Sequence, residues 1–140
     1  MVAFEEIEFH DSEIVSMELS DGHIIADIRN VKIEGKRYKW RDDTFDFADL
    51  DIHFLNVRDI RIDGQIYNKN SLMQGEDGSI LRLNQANGMI SIAADWSITD
   101  DGKYDEEFHV HKFLCDGVRF QLKPAQNPYE GYDEEESDAS

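Results

Sequence analysis

His109-Val110-His111 is the stretch of this chain whose spacing best suits chemistry. On a strand, residues two apart project from one face, so both imidazoles could ligate one divalent metal ion. His53 or Asp51 would supply a third ligand, giving a metal- or small-ligand-binding β-barrel. Phe108 and Val110, however, read as the core-facing residues of the same strand. That alternation predicts histidines that face solvent and need no ligand.

His10, Asp11 and Ser12 have the residue types of a hydrolase triad, but the side chains of consecutive residues diverge and do not assemble one. They lie between two β-rich segments, which predicts a structural corner. Asp11 and Ser12 would cap backbone N–H groups and His10 would fix the turn. If its hydrogen bonds are buried, His10 should contribute about 1–3 kcal/mol. No glycine-rich phosphate loop occurs. The residue types favour a protein that binds over an enzyme, with no cofactor required outside the metal alternative.

The third candidate is acidic and aromatic. Trp40 and Phe45 are interleaved with Asp42, Asp43, Asp46 and Asp49, and the spacing does not fit a calcium loop. Aromatic rings rimmed by carboxylates suit a basic protein partner, through cation–π and ion-pair contacts. The whole composition leans the same way: 31 acidic residues against 14 basic, a formal net charge of −17. Residues 124–140 hold six acids and no Lys or Arg, so the rest of the chain is acidic in its own right at −11. Such a field argues against nucleic acid and anionic membranes as partners. Cys115 is a single cysteine, which excludes a disulfide framework and a cysteine zinc site. No run reaches the roughly 18 apolar residues of a membrane span, and no leader pattern opens the chain. A cytoplasmic protein is expected.

These residues must be positioned by strands. Alternation places Val15, Met17 and Leu19 on one face, then Ile24, Ala26 and Ile28 after the Asp21-Gly22 turn. The phase flips at Asn30, which predicts a bulge there. Leu50, Ile52 and Phe54 share a face, with a kink near Leu55-Asn56 before Ile60 and Ile62. A long loop is expected over residues 66–78, and a type I′ hairpin at Asn87-Gly88. Ile90, Ile92, Ala94, Trp96 and Ile98 then alternate in phase as a core strand. With turn signals at short intervals and no amphipathic helix, the expected fold is all-β, an antiparallel sandwich or barrel of about eight to ten strands. Residues 1–123 form one domain and 124–140 an acidic, flexible tail. A homodimer is compatible with this plan.

Phe9-His10-Asp11-Ser12-Glu13-Ile14, running into Val15–Leu19 and Asp21-Gly22, resembles the opening of a set of small bacterial β-proteins. These start with an aromatic-His-Asp-Ser/Ala-x-aliphatic box that leads into a hairpin, and some are similar to immunity proteins of polymorphic toxin systems. The resemblance covers about 20 of the 140 residues. It implies a compact β-protein that binds a partner, and it carries no catalytic residues onto this chain.

Overall fold

A computed structural model describes residues 7–34 and 45–123. The 124–140 segment and residues 35–44 lie outside them. The architecture is the all-β antiparallel one expected. Ten strands run in the order β1 Ile7–Glu8, β2 Glu13–Ser20, β3 His23–Glu34, β4 Phe45–Leu55, β5 Arg58–Ile62, β6 Gln65–Ile66, β7 Asp77–Ala86, β8 Met89–Asp100, β9 Lys103–Leu114 and β10 Gly117–Leu122. No helix occurs among the described residues, and none is long and apolar enough to cross a membrane.

All ten belong to one sheet, in the spatial order β10-β4-β3-β2-β7-β8-β9-β5-β6, with β1 also paired to β3. The sheet is not closed. It folds over, because strands far apart along this path are joined by very short links: β4 to β5 through Asn56-Val57, and β9 to β10 through Cys115-Asp116. The links bond to each other and to the β2–β3 turn. Asp116 N–H donates to Leu55 O at 2.7 Å, Val57 N–H to Gly22 O at 2.7 Å, and Arg58 meets Asp116 at 2.7 Å. The enclosed core is apolar. Phe54 on β4 meets Phe113 on β9 edge to face, with centroids 4.9 Å apart, although four strands separate β4 from β9 along the path.

Four tight turns have the backbone that their residues favour. Asp21-Gly22, Asp63-Gly64, Asn87-Gly88 and Asp101-Gly102 all have positive φ at both positions. That is the type I′ requirement, which Asn or Asp tolerates at the first position and Gly at the second. The expected bulge at Asn30 is present: pairing slips between Ile28 and Val31, and Asn30 has φ 58°. Its N–H donates to Asp49 Oδ1 at 3.1 Å.

Three expectations are corrected. On β2 the buried residues are Ile14 and Met17, not Val15, because a bulge lies between Ile14 and Ser16 and shifts the phase. On β9 the faces are reversed: Phe108 is 54% exposed, whereas His111 and Phe113 are fully buried. The predicted 66–78 loop contains a core residue, Leu72, held against β2 by its N–H to Met17 O and by Leu19 N–H to Asn70 O.

The Phe9–Ser12 corner is a detachment point. β1 and β2 occupy the same side of β3 in succession, through Ile7↔Ile33 and then Glu13↔Arg29. Ile7–Glu13 is two residues longer than the opposing Arg29–Ile33, so the excess loops out, with Asp11 at φ 69°. The loop grips β7: Asp11 N–H donates to Ile80 O at 2.9 Å and Ile80 N–H to Ser12 O at 2.8 Å. Ser12 is fully buried, and both its hydroxyl and its N–H donate to Phe9 O. His10 is exposed and touches only Asp11, at 3.1 Å among the described contacts. At this corner Ser12 is the buried member and His10 is exposed, and the Ser12 hydroxyl bonds a carbonyl rather than capping an N–H.

Ser12→Ala should therefore cost about 1 kcal/mol of stability, and His10→Ala less than about 0.5 kcal/mol. Denaturant unfolding of the two variants measures this; the reverse ranking would show that the corner is held by His10. Gly75→Ala should cost about 1–3 kcal/mol by overpacking, because an added Cβ would collide with the Ser97 carbonyl oxygen. An unchanged midpoint would mean that this backbone contact relaxes freely.

Candidate functional site

Among the described residues, the expected site residues do not converge. Trp40, Asp42 and Asp43 lie outside the described residues. Phe45 and Asp46 begin β4 opposite Glu34 and Ile33. Asp49, farther along β4, is occupied by the Asn30 N–H. His53 lies between Ile52 and Phe54, both fully buried, so strand alternation turns it to the outer side of the sheet. There its neighbours in register are Ile25 and Arg119. Asp51 shares that side, and Lys123 Nζ sits between Asp27 at 2.7 Å and Asp51 at 3.4 Å. Burial opposes the charged amine of Lys123, yet its hydrogen bond to Asp27 and the two carboxylate charges raise its pKa.

His109 and His111 share a face of β9, as the spacing requires, but that face is turned inward. The register explains it. β8 and β9 are joined by the two-residue turn Asp101-Gly102, so Asp100 pairs with Lys103 and each even-numbered residue of β8 lies opposite an odd-numbered one of β9. Ile92 lies opposite His111 and Ile90 opposite Phe113. Cross-strand partners share a face, so the core side of β8 dictates that of β9. This parity was available in the turn residues, and it identifies His111 as buried.

His111 bridges the interior. Its Nε2 lies 2.8 Å from Leu72 O and donates to that carbonyl, satisfying a backbone group that would otherwise be stranded in the core. The Nδ1 atom and the Nε1–H of Trp96, whose ring lies 5.5 Å away, are both buried without a protein partner among the described residues. Burial disfavours the imidazolium and lowers the pKa of His111.

His109 is in the opposite situation. It lies where β9 leaves the core, with Nδ1 2.5 Å from Asp63 Oδ2 and Nε2 3.0 Å from Glu107 Oε1. Burial works against its charge, but the hydrogen bonds to Asp63 and Glu107 outweigh it and raise the pKa. Asp63 in turn takes the Val110 N–H at 2.8 Å. Partial burial acts against its charge too, yet the His109 and Val110 hydrogen bonds hold its carboxyl below the usual value. The His109 ring is thus clamped between two carboxylates. Among the described residues, no group of three His, Cys, Asp or Glu side chains is arranged to hold a metal ion. Cys115 is buried, and burial raises its thiol pKa, so it is not an activated nucleophile.

The two histidines should make opposite contributions to pH-dependent stability. The folded pKa of His111 is depressed, so its contribution is complete above 6.5 and is lost as pH falls through the folded value. The folded pKa of His109 is raised, so its contribution is complete below 6.5 and is lost as pH rises through the folded value. In thermal melts from pH 5 to 8.5, His111→Gln should flatten the acid side of the profile and His109→Gln the alkaline side. A wild-type acid slope in His111→Gln would contradict the buried neutral imidazole.

Comparison with family models, with curated proteins and with solved structures finds no match. The chain's own geometry holds His111 against Leu72 O in the interior and His109 between Asp63 and Glu107.

Proposed function

We propose that the protein is a non-enzymatic, cytoplasmic binding protein that engages a basic protein partner through its acidic surface, in the manner of the immunity proteins its opening box resembles. The supporting observation is the hairpin arm of β8 and β9. Residues 95–107 carry six acids, Asp95, Asp100, Asp101, Asp105, Glu106 and Glu107, against one base, Lys103. Among the described residues, none of these acids pairs with a Lys or Arg; Glu107 meets His109 alone. Elsewhere several bases are neutralised locally, as in Arg58–Asp116, Arg61–Asp59 and Lys123–Asp27. Uncompensated charge on a projecting arm steers an oppositely charged partner and raises its association rate. The Trp40–Asp49 stretch can add to the same field.

The reading is tested by the association rate of the purified partner, measured by stopped flow. Between 50 and 300 mM salt the rate should fall by about tenfold, because screening shortens the reach of the field. Asp100→Asn, Asp101→Asn, Asp105→Asn and Glu106→Gln combined should slow association without lowering the melting temperature. A partner of acidic or neutral pI, or a salt-independent rate, would sink the proposal.

A further inference from the structure

Among the described residues, the outer edge of β9 is open over its first half. β5 pairs with β9 at Leu114, Lys112 and His111, and the Asp63 turn covers Val110. From Lys103 to His109, strand pairing among the described residues is to β8 alone. Val110 fixes which groups face outward, since both its N–H and its C=O are taken from the β5 side. Backbone direction alternates along a strand, so Tyr104, Glu106 and Phe108 also aim their N–H and C=O groups at the open edge. The Glu106 N–H is occupied by Asp105 Oδ1 at 2.8 Å. Among the described residues, the groups of Tyr104 and Phe108 carry no such cover.

The side chains on this edge are unusual for a surface that merely avoids contact. Tyr104 is 65% and Phe108 54% exposed, and they flank Glu106 on one face, while Asp105 and Glu107 lie on the other. Carboxylates alone would keep an edge soluble. Two large aromatic residues spaced along it offer platforms to a neighbouring strand.

We infer that this edge receives an extended, basic segment of the partner as an added β-strand, lying in line with β5 and bonded through the backbone of Tyr104 and Phe108. The inference rests on the proposed binding of a basic partner and specifies where and how that partner docks. Lys or Arg side chains at alternate positions of the segment would lie over the Tyr104 and Phe108 rings and beside Glu106. Those on its other face would meet Asp105 and Glu107. A second copy of this chain fits poorly, because edge-to-edge pairing would bring Asp105, Glu106 and Glu107 up against their own copies or other acids of the arm.

The test uses the full chain and a nine-residue peptide that alternates lysine with valine, followed by amide NMR and hydrogen exchange. The expected result is binding that weakens at least about tenfold from 50 to 300 mM salt, with slowed exchange at the amides of Tyr104 and Phe108. Methylating alternate peptide nitrogens on the bonding side keeps the charge but removes the donors, and should weaken binding by about tenfold or more. Phe108→Pro should do the same from the protein side, because this N–H faces the open edge and makes no bond to β8. Peptide binding that is indifferent to methylation and leaves the Tyr104 and Phe108 amides unprotected would overturn the added strand, while leaving the acidic-surface reading intact. No peptide binding would also overturn it; the reading of a basic partner would then stand or fall on the salt dependence of the partner itself. A dimer of the free protein that Phe108→Pro dissolves would assign the edge to self-association and overturn the inference.

Discussion

The structure depends on a narrow seam. β2 and β7 pair through only Glu13↔Ser79 and Ile14↔Gly78, yet this join connects the β10-β4-β3-β2 half of the sheet to the β7-β8-β9-β5-β6 half. A single ten-stranded sheet with one apolar side has to fold over to remove that side from water. The Phe9–Ser12 corner widens the seam with two further backbone bonds to Ile80. Beyond it, where β2 would otherwise present an open edge to the core, the segment around Leu72 takes over the pairing. Gly78 lies at the same seam, where the Trp96 ring leaves no room for a side chain: a Cβ there would approach the indole to 3.1 Å.

The seam also explains a buried histidine in a chain whose other polar groups are mostly at the surface. Threading the Leu72 segment into the interior strands its carbonyl there, and an unsatisfied buried carbonyl is costly. His111 reaches it from β9. A neutral imidazole can donate one hydrogen bond from within an apolar site without carrying a charge into it, which Lys or Arg cannot do. Its neighbour two residues earlier has the reverse environment because β9 outruns the core. At His109 the strand passes from packed interior to projecting arm, and two carboxylates replace the apolar contacts. One strand thus links the stability of the core to the charge of the exposed arm.

That arm is where fold and proposed function meet. Trp96 is fully buried, and opposite it on β9 stands Glu107, from which the hairpin runs on to the Asp101-Gly102 turn. Its acids have no role in the core, and the local ion pairs seen around β4, β5 and β10 do not reach it. On the proposed reading, the field there is what a basic partner meets.

The amino-acid sequence by itself determined the class of fold, because short-range physics writes it locally. Asp-Gly and Asn-Gly dipeptides dictate left-handed turn residues, and alternation within Leu50–Phe54 and Ile90–Trp96 dictates the buried faces. The Asn30 phase flip was likewise legible as a bulge. The histidine pair was legible as sharing a face, but its direction was not read from β9 alone. Phe108 and Val110 look as apolar as a core face, and only pairing with β8 turns them outward. The bulge that shifts β2 was hidden for the same kind of reason, since its cause is the register against β3. What the tertiary structure alone decided is which distant segments meet: the corner with Ile80, Leu72 with His111, and Asp63 with His109. Those contacts depend on how the sheet folds over itself, and no local periodicity encodes that.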